Sequence, residues 1–86
     1  MNTGFVEFLA RSVVEHPDHI SVHSVEGEAS LLFELRVHAD DLAALTGEDR
    51  DVLRAMQQVV AASSRRRGGP RPVLDLIEVD GAGAEE

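Results

Sequence analysis

Leu45-Thr46-Gly47-Glu48-Asp49-Arg50-Asp51-Val52-Leu53-Arg54-Ala55-Met56 is the stretch whose reading decides the fold. Upstream of it, Asp40 and Asp41 open a short helix, where two acids favour the positive end of the helix dipole. Downstream, Val52, Met56, Val59 and Val60, with Ala55 on the same side, recur at helical spacing and predict a longer helix from about Arg50 to Ser64. Gly47 punctuates the two. Thr46 with Asp49 three residues on also reads as a capping box, which would make the turn simply a well-built helix start.

Working outward, the preceding residues read as a hairpin. With Gly27-Glu28 as a two-residue turn, Glu26 pairs with Ala29, Val22 with Phe33 and Ile20 with Leu35 on one face, while Ser21 meets Glu34 and His19 meets Arg36 on the other. Val25 and Leu32 then point to the outer face. Before the hairpin, Phe5, Phe8, Leu9 and Val13 form one side of a helix from about Thr3 to His16, with Thr3 as its N-cap and Pro17 stopping it. After the long helix, Arg65-Arg66-Arg67-Gly68-Gly69-Pro70-Arg71-Pro72 forms a loop, and Val73 to Val79 is a last strand. If Asp75 points outward, Val73, Ile77 and Val79 join Val25 and Leu32 in an apolar strip on the face that the helices leave bare, a surface for self-association or partner docking.

Composition bounds the rest. Eighty-six residues make one domain, residues 1–79, with one sheet covered by helices on one face; the tail Asp80–Glu86 has no apolar periodicity and is expected to be disordered. There is no cysteine, hence no disulfide frame or thiolate zinc site. No basic segment precedes an apolar run at the N-terminus and no stretch approaches a membrane span, so a soluble, cytoplasmic protein is expected. Sixteen acids stand against eight arginines and no lysine, for a net charge of −8; removing Asp80, Glu85 and Glu86 leaves the body at −5. That balance opposes nucleic-acid binding, whose affinity rests on phosphate neutralisation.

Taken together, the first helix ending at His16-Pro17, the turn at Val25-Glu26-Gly27-Glu28, Asp41-Leu42 opening the central helices and the closing strand Val73-Leu74-Asp75-Leu76-Ile77-Glu78 resemble the small bacterial single-KH-domain proteins of the KhpA type. The resemblance covers nearly the whole chain. It implies an α+β, type II KH-like fold in the order α-β-β-α-α-β, a three-stranded sheet with helices on one face, and binding of single-stranded RNA in a chaperone-like or regulatory role. It also implies pairing, as a homodimer or with a KhpB-type, Jag-like protein. In that family a Gly-x-x-Gly loop lies against the nucleic-acid backbone.

Carried over, the loop reads Gly47-Glu48-Asp49-Arg50. Gly47 matches, Glu48 stands where a basic residue is usual, and Arg50 replaces the second glycine. Two carboxylates where phosphates would lie, against one arginine, predict weak and salt-sensitive binding, or none. The candidate RNA contacts are Gly47, Glu48, Asp49 and Arg50, with Leu42, Leu45, Val52 and Arg54 beside them. Arg65, Arg66, Arg67 and Arg71 form a second candidate basic patch, although arginines near a helix C-terminus more often complement its dipole and solvate the loop. The partner surface is Val25, Leu32 and Ile77. The alternative is a KH fold that has lost RNA binding and serves as a protein-interaction module.

Catalysis finds no support. The serines have no evident base partner and the carboxylates follow helix faces, so the chain is not expected to be an enzyme. The register above puts His19 and His23 on the outer sheet face, two strand steps apart, while His16 and His38 approach each other at one end. No three ligands are expected to converge, hence no metal and no cofactor.

Overall fold

The central strand carries the core. The computed structural model describes residues 3–63 and 70–78. Over these, α1 (Thr3–Val13), a 3₁₀ turn (Pro17–His19), β1 (Ser21–Glu26), β2 (Ser30–Val37), α2 (Ala39–Thr46), α3 (Arg50–Ser63) and β3 (Arg71–Glu78) follow in order. The sheet order is β1-β2-β3, with β1 and β2 antiparallel and β2 and β3 parallel. This is the α+β, type II KH-like arrangement. Val79, the tail 80–86 and Arg65, Arg66 and Arg67 lie outside the described residues.

Phe33, Leu35 and Val37 alternate along β2 and are buried, which is the period a half-buried strand imposes. They pack with Leu74 of β3, Val6 and Ala10 of α1, and Met56 and Val60 of α3. Burying a side chain of this size stabilises the fold by roughly 1.5–3 kcal/mol, so this cluster is the main cohesive element of the chain.

The hairpin register differs from the expected one by two residues. Ser21 faces Arg36, Val22 faces Leu35 and Val25 faces Leu32. The turn residues are Glu28 and Ala29, with Gly27 N–H donating to Ser30 O at 2.8 Å, one position beyond the Gly27-Glu28 turn. A turn moved by one residue moves the pairing by two, and because side chains alternate with period two the inner and outer faces are unchanged. Ile20 and His19 precede the strand instead of pairing in it.

The helix faces are corrected in two places. α1 turns Val6 and Ala10 inward; Phe5, Phe8 and Val13 are exposed, Phe8 by 68%. Two overlapping apolar stripes exist on this helix, and the one carrying small Ala10 lets the backbone come close to its neighbours. On α3, Met56 and Val60 are buried while Val59 is 43% exposed and Ala55 is exposed. α1 also ends at Val13, three residues early. Its exit is fixed by Asp41, whose Oδ1 accepts from Glu15 N–H at 2.9 Å and whose Oδ2 accepts from His16 N–H at 3.0 Å. Asp41 is the buried charged residue of the described chain, at 5% exposure. Two backbone donors satisfy its carboxylate, as burial requires.

β3 begins at Arg71, two residues before the expected Val73, and pairs there with Ser30. No helix among the described residues is long and apolar enough to cross a membrane.

Candidate nucleic-acid interface

α2 and α3 meet at residues 47–49. Gly47 N–H and Asp49 N–H both donate to Ala44 O, at 3.1 and 2.8 Å, so backbone donors close the C-terminal end of α2. Asp49 O in turn accepts from Val52 N–H at 2.9 Å and starts α3. A Cβ on Gly47 would stand 2.9 Å from Ala43 O, closer than real Cβ atoms come to a backbone oxygen. Glycine is required here by close approach. The Thr46 hydroxyl donates to Leu42 O at 2.7 Å, back into α2. Thr46 is therefore the last residue of α2 and not an N-cap of α3, which removes the expected capping box.

Glu48, Asp49 and Arg50 are all exposed, and Arg50 is already the first residue of α3. At this position a side chain meets no steric demand, so arginine is admissible where position 47 admits only glycine. Arg54 is exposed and lies 3.9 Å from Asp51, one turn away on the same helix. Leu42 and Val52 are half-buried and touch the core; Leu45 is 3% exposed and packs inward, with little surface left for a base. Beside the turn lies a cleft of about 250 Å³ lined by Val13, Ala44 and Leu45 together with Glu15, Asp40, Asp41, Glu48 and Asp49. Five carboxylates make this the electronegative side of the turn.

A second depression, about 410 Å³, lies between α3 and β3 near the hairpin turn. Gln57 and Ala61 of α3 and Arg71, Val73 and Leu74 of β3 line it. The Gln57 amide donates to Leu74 O at 3.3 Å, which ties the helix to the open edge of the sheet. Gln57 carried no sequence signal; a single exposed polar residue on a helix is ordinary. Arg71, expected in a loop with Arg65, Arg66 and Arg67, belongs instead to the strand edge.

On the outer sheet face the register aligns Val25, Leu32 and Val73 in one row across the three strands. Val25 and Val73 are exposed, and Leu32 is partly exposed. Ile77 stands two rows away, opposite Arg36, separated by the polar row His23, Glu34 and Asp75. The apolar strip is thus a row of three with Ile77 apart from it.

His16 and His38 approach each other as expected, but His19 and Asp40 are placed differently from the expected pattern. His19 is in the 3₁₀ turn, away from His23 on β1, and meets both His16 and His38. The His16 and His38 rings stack at 4.1 Å, and His19 stands edge-on to His38 at 5.0 Å. His16, His38 and Asp40 bring one ligand atom each within 4.8 Å of one another. The expectation that no three ligands converge is thereby corrected. His16 and His38 are over twenty residues apart in sequence, so only the packing of α2 against the α1 corner brings them together.

The comparisons with known proteins fit this architecture. The family model for the KhpA/KhpB KH domain matches residues 3–76. The chain is 33% identical over 73 residues to the RNA-binding protein KhpA of Aquifex aeolicus, covering 85% of this chain and 91% of that one. It is 35% identical over 75 residues to the KhpA of Streptomyces coelicolor, covering 87% and 90%, and 34% identical over 72 residues to that of Clostridium perfringens, covering 84% and 95%. No solved structure matches. With a family model spanning most of its length and relatives covered nearly end to end, the chain belongs to the KhpA/KhpB KH-domain family.

Proposed function

We propose that this chain is a non-enzymatic binder of single-stranded RNA whose affinity is reduced by its own turn. The observation that supports it is the α2–turn–α3 unit itself, with Gly47 in close backbone contact and residues 48–50 exposed beside it. KH domains clamp a short run of nucleotides on such a turn, reading bases on their edges. The curated relatives carry the name RNA-binding protein KhpA. In this reading the sugar-phosphate chain lies against Gly47–Arg50, and the bases run along α3, past the exposed edges of Leu42 and Val52, toward Gln57 and Arg71 at the open edge of β3. Arg50 and Arg54 provide the nearby positive charge. Glu48, Asp49 and the acidic cleft oppose it, so binding is weak and falls steeply with salt. A regulatory or chaperone-like role follows from weak contact with many RNAs, and the protein acts in the cytoplasm, where such RNAs are found.

A second reading has its own support: the row Val25, Leu32 and Val73 and the exposed Phe8 on α1 suit a domain that pairs with a second copy or with a KhpB-type protein. Fluorescence anisotropy of a labelled single-stranded RNA, at low and near-physiological salt, separates the two. Binding by the native chain that tightens in a Glu48→Lys, Arg50→Gly variant supports the first. No binding by either chain refutes it and leaves the interaction module, for which Leu32→Lys disrupts pairing seen by light scattering.

A further inference from the structure

We propose that His16, His38 and Asp40, with His19 as a fourth donor, form a binding site for a divalent transition-metal ion of the zinc class. The site lies where the corner after α1 meets the start of α2; Asp40 also lines the acidic cleft beside the Gly47 turn, but the proposal does not rest on RNA binding.

The geometry is close to that of a tetrahedral ion. With zinc–nitrogen and zinc–oxygen bonds of roughly 2.0–2.1 Å, neighbouring ligand atoms stand roughly 3.3–3.4 Å apart. His16 Nε2 is 3.4 Å from Asp40 Oδ2, and His38 Nδ1 is 3.7 Å from the same oxygen. All three ligand atoms fall within 4.8 Å, so small side-chain rotations complete the set. The Asp40 side chain is 74% exposed and free to make them. The His19 ring lies beside these three ligands, 5.0 Å from the ring of His38 and 6.1 Å from that of His16, so a turn of its side chain brings a ring nitrogen to the open fourth position.

The chemistry selects the ion. Imidazole nitrogens with one carboxylate suit zinc, nickel or copper, whereas calcium and magnesium prefer all-oxygen sets. The tautomer of His38 is also suitable. Its Nδ1 accepts a hydrogen bond from Asp40 N–H at 3.0 Å, so this nitrogen carries a lone pair and no proton. A metal ion takes that lone pair in place of the amide, and Asp40 N–H, exposed at the start of α2, turns to water. The lost cap weakens the site without abolishing it. Asp41, next in sequence, already binds the Glu15 and His16 amides, so the backbone beneath His16 is held before any ion arrives. An ion here joins the α1 corner to α2 a second time, and it stabilises the folded chain by mass action.

Isothermal calorimetry with zinc chloride on the full chain tests this, with thermal melts of the same samples. One zinc per chain is expected, in the micromolar range, with a raised melting temperature and no displacement by millimolar magnesium. His16→Ala and Asp40→Asn each weaken binding at least about tenfold, while His23→Ala, on the outer face of β1, leaves it unchanged. Melts without zinc establish that the variants fold. The proposal is overturned if zinc shows no saturable binding, if magnesium displaces it, if His16→Ala and Asp40→Asn bind as the native chain does, or if half a zinc per chain reveals an ion bridging two copies.

Discussion

The two ends of α2 are built in opposite ways. At its N-terminal end, His38 caps the helix through Nδ1, Asp41 is buried on two backbone amides, and the His16 and His38 rings stack beside Asp40 with His19 edge-on to His38. At its C-terminal end the backbone closes on itself at Ala44 O, and residues 47–50 face solvent. Side chains determine the first end; one missing side chain, at Gly47, determines the second. The difference explains how the turn keeps its shape with arginine at position 50. Position 47 is constrained by the Ala43 carbonyl, while position 50 is the exposed first residue of a helix, whose identity hardly touches the fold.

That contrast can be broken most forcefully at Asp41. Asp41→Ala leaves the Glu15 and His16 amides without their acceptors, and urea unfolding should show a loss of about 3 kcal/mol; Asp41→Asn, which keeps one oxygen, should lose less. A negligible change would mean that the corner is held by packing alone. At the other end, Gly47→Ala drives a Cβ against Ala43 O and should cost about 2 kcal/mol in the same assay. If it is neutral, the turn relaxes freely and its glycine has no steric basis.

The exposed part of the turn should respond in binding instead. Glu48→Lys with Arg50→Gly is expected to tighten single-stranded RNA binding about tenfold at low salt and to steepen its salt dependence. The glycine costs at most about 1 kcal/mol of stability at the start of α3. Smallest of all, Arg54→Ala removes an exposed pair with Asp51 and should change stability by less than about 0.5 kcal/mol, while lowering RNA affinity by a few-fold in anisotropy. A larger stability loss would place Arg54 in the structural half of the comparison.

Periodicity and punctuation were enough to specify much of this molecule: the element order, the alternation along Phe33, Leu35 and Val37, and the turn at Gly47 are all legible because they depend on neighbours in sequence. α1 was legible as a helix but not in its orientation. Phe5, Phe8, Leu9 and Val13 make an apolar stripe as good as the one through Val6 and Ala10, and a one-dimensional pattern does not rank two overlapping stripes. The same holds for the hairpin, where faces are set by parity but the pairing depends on which residues turn. The candidate site was legible at the exposed turn and illegible at the depression between α3 and β3, since Gln57 and Arg71 meet only across the fold.

The sequence by itself determined the elements, their order and the acidic character of the turn, all local properties of consecutive residues. Only the tertiary structure decided that Asp41 holds the exit of α1, that Phe8 faces out, and that His19 and Asp40 join His16 and His38. Those facts depend on contacts between segments about twenty or more residues apart, which are fixed when the helices settle on one face of the sheet and which no local spacing encodes.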